Sequence, residues 1–114
     1  MSVTTLVRDR LLSTIQEPLG LSKTELGRLF GVSRQAIDGW HEHGVPPARQ
    51  AKAATVAAVV ELLAHRLKRE RLPGIARRAA RAYGGLTMLE MVERDRHEEL
   101  LAITRRSFDW ASTA

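Results

Sequence analysis

Apolar residues recur every three to four positions along most of this chain, a spacing that predicts helices rather than strands. Over residues 3–16, Leu6, Val7, Leu11 and Ile15 share one side with charges between them. They predict a first amphipathic helix, stopped by Pro18 and Gly20. Ser22, Lys23, Thr24 and Glu25 then have capping-box spacing: the serine hydroxyl accepts from the backbone three residues on, and the glutamate reaches back. A short helix through Phe30 follows, Gly31 supplies a tight turn, and Ser33 caps a second helix over Arg34 to His41 with Ile37 and Trp40 facing inward.

Gly44 and the pair Pro46-Pro47 end that helix. A long one is expected from Ala48 to Arg69, with Val56, Val59, Val60, Leu63 and Leu67 on one broad face. Pro73-Gly74 predicts a break, and Ile75 to Ala82 a basic, alanine-rich helix that ends at Tyr83-Gly84-Gly85. Thr87 with Glu90, and Asp95 with Glu98, have the spacing of two further capping boxes. Leu86, Leu89 and Val92, then Leu100, Ile103 and Phe108, give the last two helices their apolar faces. The pattern predicts an all-α fold in three stretches: residues 1–47, a connecting core helix over 48–71, and a small helical lobe over 72–114.

Composition narrows the picture. The core must be aliphatic, because aromatics are only 4% of 114 residues. Without cysteine there are no disulfides or thiolate metal sites, which fits a reducing cytoplasm. The longest apolar stretches, such as Val56 to Val60, fall far short of the roughly 20 residues a membrane helix needs, so no membrane association is expected. Net charge is +5, which directs attention to a polyanionic partner. The excess lies in the middle: Lys and Arg outnumber Asp and Glu by 8 to 2 over residues 51–82, against 6 to 5 before and 4 to 6 after.

Residues 21–40 carry the most specific signal. Leu26, Leu29, Val32, Ile37 and Trp40 can lock two short helices onto a shared core, while Gly27 permits close approach and Gly31 tolerates positive φ. The phrase Gly31-Val-Ser-Arg-Gln-Ala-Ile-Asp-Gly-Trp40 resembles the Cro/C1 (Xre-like) helix-turn-helix of bacterial regulators. The resemblance implies that the second helix enters the major groove of double-stranded DNA by its N-terminal residues. Arg34 would then pair with guanine, Gln35 with adenine, and Asp38 with cytosine, and Gly39 would allow close approach. Ser22, Lys23 and Ser33 would contact the phosphate backbone. His43 and Arg49, which flank the second helix, are further phosphate candidates or belong to a hydrated loop. On composition alone, Arg34 and Gln35 also read as solvated residues of a first helical turn. Trp40 reads as core. His41 and His43 lack a third ligand at metal spacing.

The second half, with Tyr83-Gly-Gly-Leu-Thr-Met-Leu-Glu-Met-Val92 followed by a helix ending in Phe108, is similar to the toxin-binding part of the Xre/MbcA/ParS antitoxin family, which usually has Pro where Thr87 stands. That resemblance implies a homodimer that represses its own operon and neutralises a partner toxin, commonly of the RES type that consumes NAD. Arg77, Arg78 and Arg81, within the run that starts at Arg66, are candidates for phosphate or for an acidic protein partner, or form a solvated face. Met88, Leu89, Met91 and Leu101 are candidate dimer or toxin contacts, or ordinary core. No nucleophile with a base, paired acids, phosphate-cradling loop or metal cluster is recognisable, so neither enzyme activity nor a cofactor is expected. Two alternatives remain: a stand-alone phage-type repressor or excision factor, and an interaction module that never meets DNA.

Overall fold

The computed structural model describes the backbone of residues 3–113 and the side chains of residues 11–109. Among these the chain is all helical: α1 (Val3–Leu19), α2 (Lys23–Phe30), α3 (Arg34–His43), α4 (Pro47–Arg66), α5 (Leu72–Ala76), α6 (Met88–Glu93) and α7 (His97–Thr113). Two 3₁₀ turns, Arg69–Arg71 and Arg81–Tyr83, flank α5. No described helix is long and apolar enough to cross a membrane.

α4 is the central strut, packed against α1 and α7, while α2 rests on α3 and α6. The core is continuous through all three stretches of the chain. Leu12 and Ile15 of α1, Leu26 of α2 and Ile37 of α3 join Val56 and Val60 of α4, Leu72 of α5, Met91 of α6 and Leu100 of α7. Burying aliphatic side chains of this size is worth about 1.5–3 kcal/mol each. The side chains of Leu6 and Val7, expected on the inner face of α1, lie outside the described ones.

Several boundaries differ from the expected ones, each for a local reason. α1 runs through Pro18 to Leu19. A proline in the last turn forfeits only its own backbone bond, so the stop falls at Gly20 (φ +61°), where the Leu21 N–H returns to the Gln16 carbonyl at 3.0 Å. α4 starts at Pro47, whose fixed φ suits the first helical position, and ends at Arg66 rather than Arg69. Leu67 is extended there (φ −122°, ψ 154°) and exposed, not on the core face.

The helix expected over residues 75–82 does not form. Pro73 and Gly74 lie inside α5, since proline is tolerated in a first turn, and α5 closes with tight bonds from the Arg77 and Arg78 N–H groups. Ala80 turns extended, donating to the Leu86 carbonyl while accepting from the Gly85 N–H. The Thr87/Glu90 capping box is present in full, with bonds of 3.0 and 2.9 Å. The Asp95/Glu98 box is not: Asp95 adopts φ +60° in the turn that ends α6, and α7 begins two residues later. Met88 and Met91 are buried in the chain's own core, while Leu89 and Leu101 are half-buried against it. Two of the four candidate contact residues therefore serve internal packing.

Candidate nucleic-acid interface

α2 and α3 are set by their caps. The Ser22 hydroxyl accepts from the Glu25 N–H at 3.0 Å and the Ser22 N–H donates to the Glu25 carboxylate at 3.0 Å, completing the reciprocal box. Gly31 ends α2 in the left-handed region (φ +66°), and the Val32 N–H returns to the Gly27 carbonyl at 2.9 Å. Ser33 then starts α3 by accepting from the Ala36 N–H at 3.1 Å. A Cβ on Gly27 would lie 2.6 Å from the Val32 carbonyl oxygen, so only glycine lets the turn fold back this closely.

One side of α3 is locked down. Ile37 is fully buried, and Trp40 meets Phe30 edge to face with ring centroids 5.4 Å apart. The opposite edge holds Arg34, Gln35 and Asp38, all exposed, with Gly39 open above it. Neither Arg34 nor Gln35 hydrogen-bonds to another described side chain, so both keep their polar ends available. Asp38 is committed elsewhere: it pairs with Lys23 across the α2–α3 angle, and that hydrogen bond holds its carboxyl below the usual range.

The expected phosphate contacts divide in the same way. Ser22 and Ser33 hold the caps, Lys23 neutralises Asp38, and His43 is exposed beside Glu42. Arg49 is turned inward, donating to the Phe30 carbonyl at 2.9 Å. His41 joins Gln16 of α1 at 2.8 Å, which ties α3 to the first helix. Arg77, Arg78 and Arg81 are all exposed, but the Arg77 guanidinium is already bonded within the chain, to the carbonyls of Leu19, Gly20 and Pro73 and to the Glu25 carboxylate. Arg66 lies over the Phe108 ring at 5.6 Å.

A residue without a role in the sequence reading completes the site. Lys52, with 11% of its side chain exposed, donates to the Leu29 carbonyl and the Asp95 carboxylate, each at 2.7 Å, and sits 5.5 Å from the Phe30 ring centre. With Arg49 it places two cations at the C-terminal end of α2, where unpaired carbonyls concentrate negative charge. Its signal was its register: Lys52 stands one turn before Val56 on the buried face of α4. Among the described residues no cluster of His, Asp or Glu is arranged to hold a metal ion. Comparison of the chain with protein-family models, curated proteins and solved structures gave no match.

Proposed function

We propose that this protein is a sequence-specific DNA-binding regulator in which α2 and α3 form a Cro/C1-type helix-turn-helix. The observation that carries the reading is the exposed Arg34-Gln35 edge on a helix whose other face is anchored by Ile37 and Trp40. Arg34 offers a two-pronged donor to guanine O6 and N7, and Gln35 a donor and acceptor to adenine, each worth about 1–3 kcal/mol of discrimination. Lys23 and Ser22 face the phosphate backbone, with Ser33 and His43 at the two ends of α3. Asp38 orients Lys23 instead of reading cytosine, and Arg49 braces α2 instead of touching phosphate.

The second half supports an antitoxin reading through its resemblance over Tyr83–Val92: a cytoplasmic homodimer that represses its own operon and holds a toxin encoded beside it. A stand-alone repressor would lack that neighbouring toxin gene and bind DNA in the same way.

The test is a mobility-shift titration on duplex DNA from upstream of the gene, with random duplex as competitor. Wild type should prefer the upstream duplex, while R34A and Q35A fold, lose that preference, and retain weak, salt-sensitive binding. Equal affinity for both duplexes in wild type sinks the regulator reading. No affinity for either leaves a protein-interaction module.

A further inference from the structure

Arg77 belongs to the C-terminal half, yet its guanidinium is spent on the edge where α2 begins. Nη1 donates to the Leu19 and Pro73 carbonyls at 2.8 and 2.9 Å. Nη2 donates to the Gly20 carbonyl at 3.2 Å and to the two Glu25 carboxylate oxygens at 3.2 and 3.0 Å. The Glu25 oxygen at 3.2 Å is the same one that accepts the Ser22 N–H. One carboxylate thus joins the N-cap of α2 to a cation delivered from α5.

This junction resolves an electrostatic conflict. The capping box uses the Glu25 side chain as acceptor, and the Ser22 N–H, followed by Arg77, holds that carboxyl below its ordinary range, so it is ionised at neutral pH. An unscreened negative charge beside Ser22 and Lys23 would repel a phosphate at the place where the regulator reading puts one. Arg77 cancels that charge without displacing the cap, and its fork fixes the Leu19–Gly20 carbonyls that lead into it.

We propose that Arg77 is a positioning residue of the DNA-binding edge, screening Glu25 so that backbone phosphate can approach Ser22 and Lys23 without Arg77 itself touching DNA. The inference rests on the regulator reading and adds to it a dependence of DNA affinity on the C-terminal half.

Fluorescence anisotropy with the upstream duplex at several salt concentrations separates screening from simple bracing, using wild type, R77A, R77K, E25Q and R77A/E25Q, each checked for folding by circular dichroism. R77A should weaken binding about tenfold at low salt, with the deficit shrinking as salt rises. E25Q in the wild-type background leaves the Arg77 charge uncancelled and should bind about two- to threefold tighter at low salt. In the R77A background it should restore most of the loss, although every Arg77 carbonyl bond stays broken. R77K, which keeps the charge without the fork, should bind within about threefold of wild type.

R77A/E25Q as weak as R77A, or R77K as weak as R77A, overturns the proposal, as does R77A binding like wild type. If R77A fails to fold, R77K and E25Q decide: R77K near wild type with E25Q tighter at low salt supports screening, and a tenfold loss in R77K or an E25Q no tighter than wild type refutes it. Wild type with no preference for the upstream duplex is a different failure, that of the regulator reading itself.

Discussion

The Lys52 ammonium donates to the Asp95 carboxylate at 2.7 Å across 43 positions of sequence, joining the central helix to the turn between α6 and α7. The same ammonium donates to the Leu29 carbonyl, so the end of α2 and the start of the C-terminal helices share one cation. Asp95 adopts φ +60°, a conformation uncommon for a residue other than glycine, and from it the carboxylate meets Lys52.

Lys52→Met should therefore destabilise the whole fold, by about 1–3 kcal/mol, because it strands the Leu29 carbonyl in a mostly buried setting. Asp95→Asn, which tolerates the same backbone and leaves Lys52 its carbonyl partner, should be milder. Urea titrations of the two variants check the order; an Asn variant weaker than the Met variant contradicts it.

Gly27→Ala tests the turn. The added methyl must move the Val32 carbonyl, which stands 2.6 Å from the ideal Cβ position. An overpacking cost of about 1–3 kcal/mol is expected. In a domain of this size that lowers the melting midpoint by roughly 5–15 °C. Gly39→Ala meets nothing within 4 Å and serves as the matched control, with stability unchanged or slightly raised.

Acid should act in two stages. Burial, then the nearby Lys52 charge, lowers the pKa of His97, whose Nδ1 is buried without a partner; Asp95 and Glu98 oppose the shift only in part. A folded-state pKa below the unfolded one means that the unfolded chain binds the proton more readily. The stabilisation is then complete above the ordinary imidazole range near pH 6.5 and is lost as pH falls through the lower folded value. Glu25 and Asp95 are also lowered, the first mainly by the Ser22 N–H and the second by Lys52, so their contributions fade later, below about pH 4. Thermal melts from pH 8 to 3 should show both stages, and His97→Gln should remove the first alone. An unchanged early stage in that variant assigns it to another group.

Breaking the Lys23–Asp38 pair should separate stability from DNA affinity. Asp38→Ala frees the Lys23 ammonium, so a small loss or no change in melting is expected together with tighter, less selective duplex binding. Weaker binding to the upstream duplex alone, with random duplex unaffected, would return Asp38 to a base-contacting role.

The α2–α3 stretch over residues 22–44 was legible because its information is local. Ser22 with Glu25, Gly31, Ser33 and the Ile37/Trp40 spacing each act within one turn of helix, and the folded chain uses them at those positions. What escaped the sequence reading depends on partners far apart. Asp95 has the spacing of an N-cap with Glu98, but the turn after α6 and the pull of Lys52 place it outside α7. The basic, alanine-rich stretch after Ile75 has helical propensity, yet Arg77 is drawn to carbonyls more than fifty positions earlier and Ala80 to the Leu86 carbonyl, so the helix stops. Charge counts located the excess of arginine without revealing that the Arg77 guanidinium is bonded to the chain's own carbonyls and carboxylate.

The unbroken core also limits how the protein can be taken apart. Leu72, Met91 and Leu100 close over the same apolar interior as Leu26 and Ile37, so α2 and α3 are not a cassette that can be cut out or transplanted onto another chain. A fragment ending at α4 would present that interior to water and invite aggregation, and operator preference would have to be re-engineered by exchanging surface residues of α3 within the intact chain.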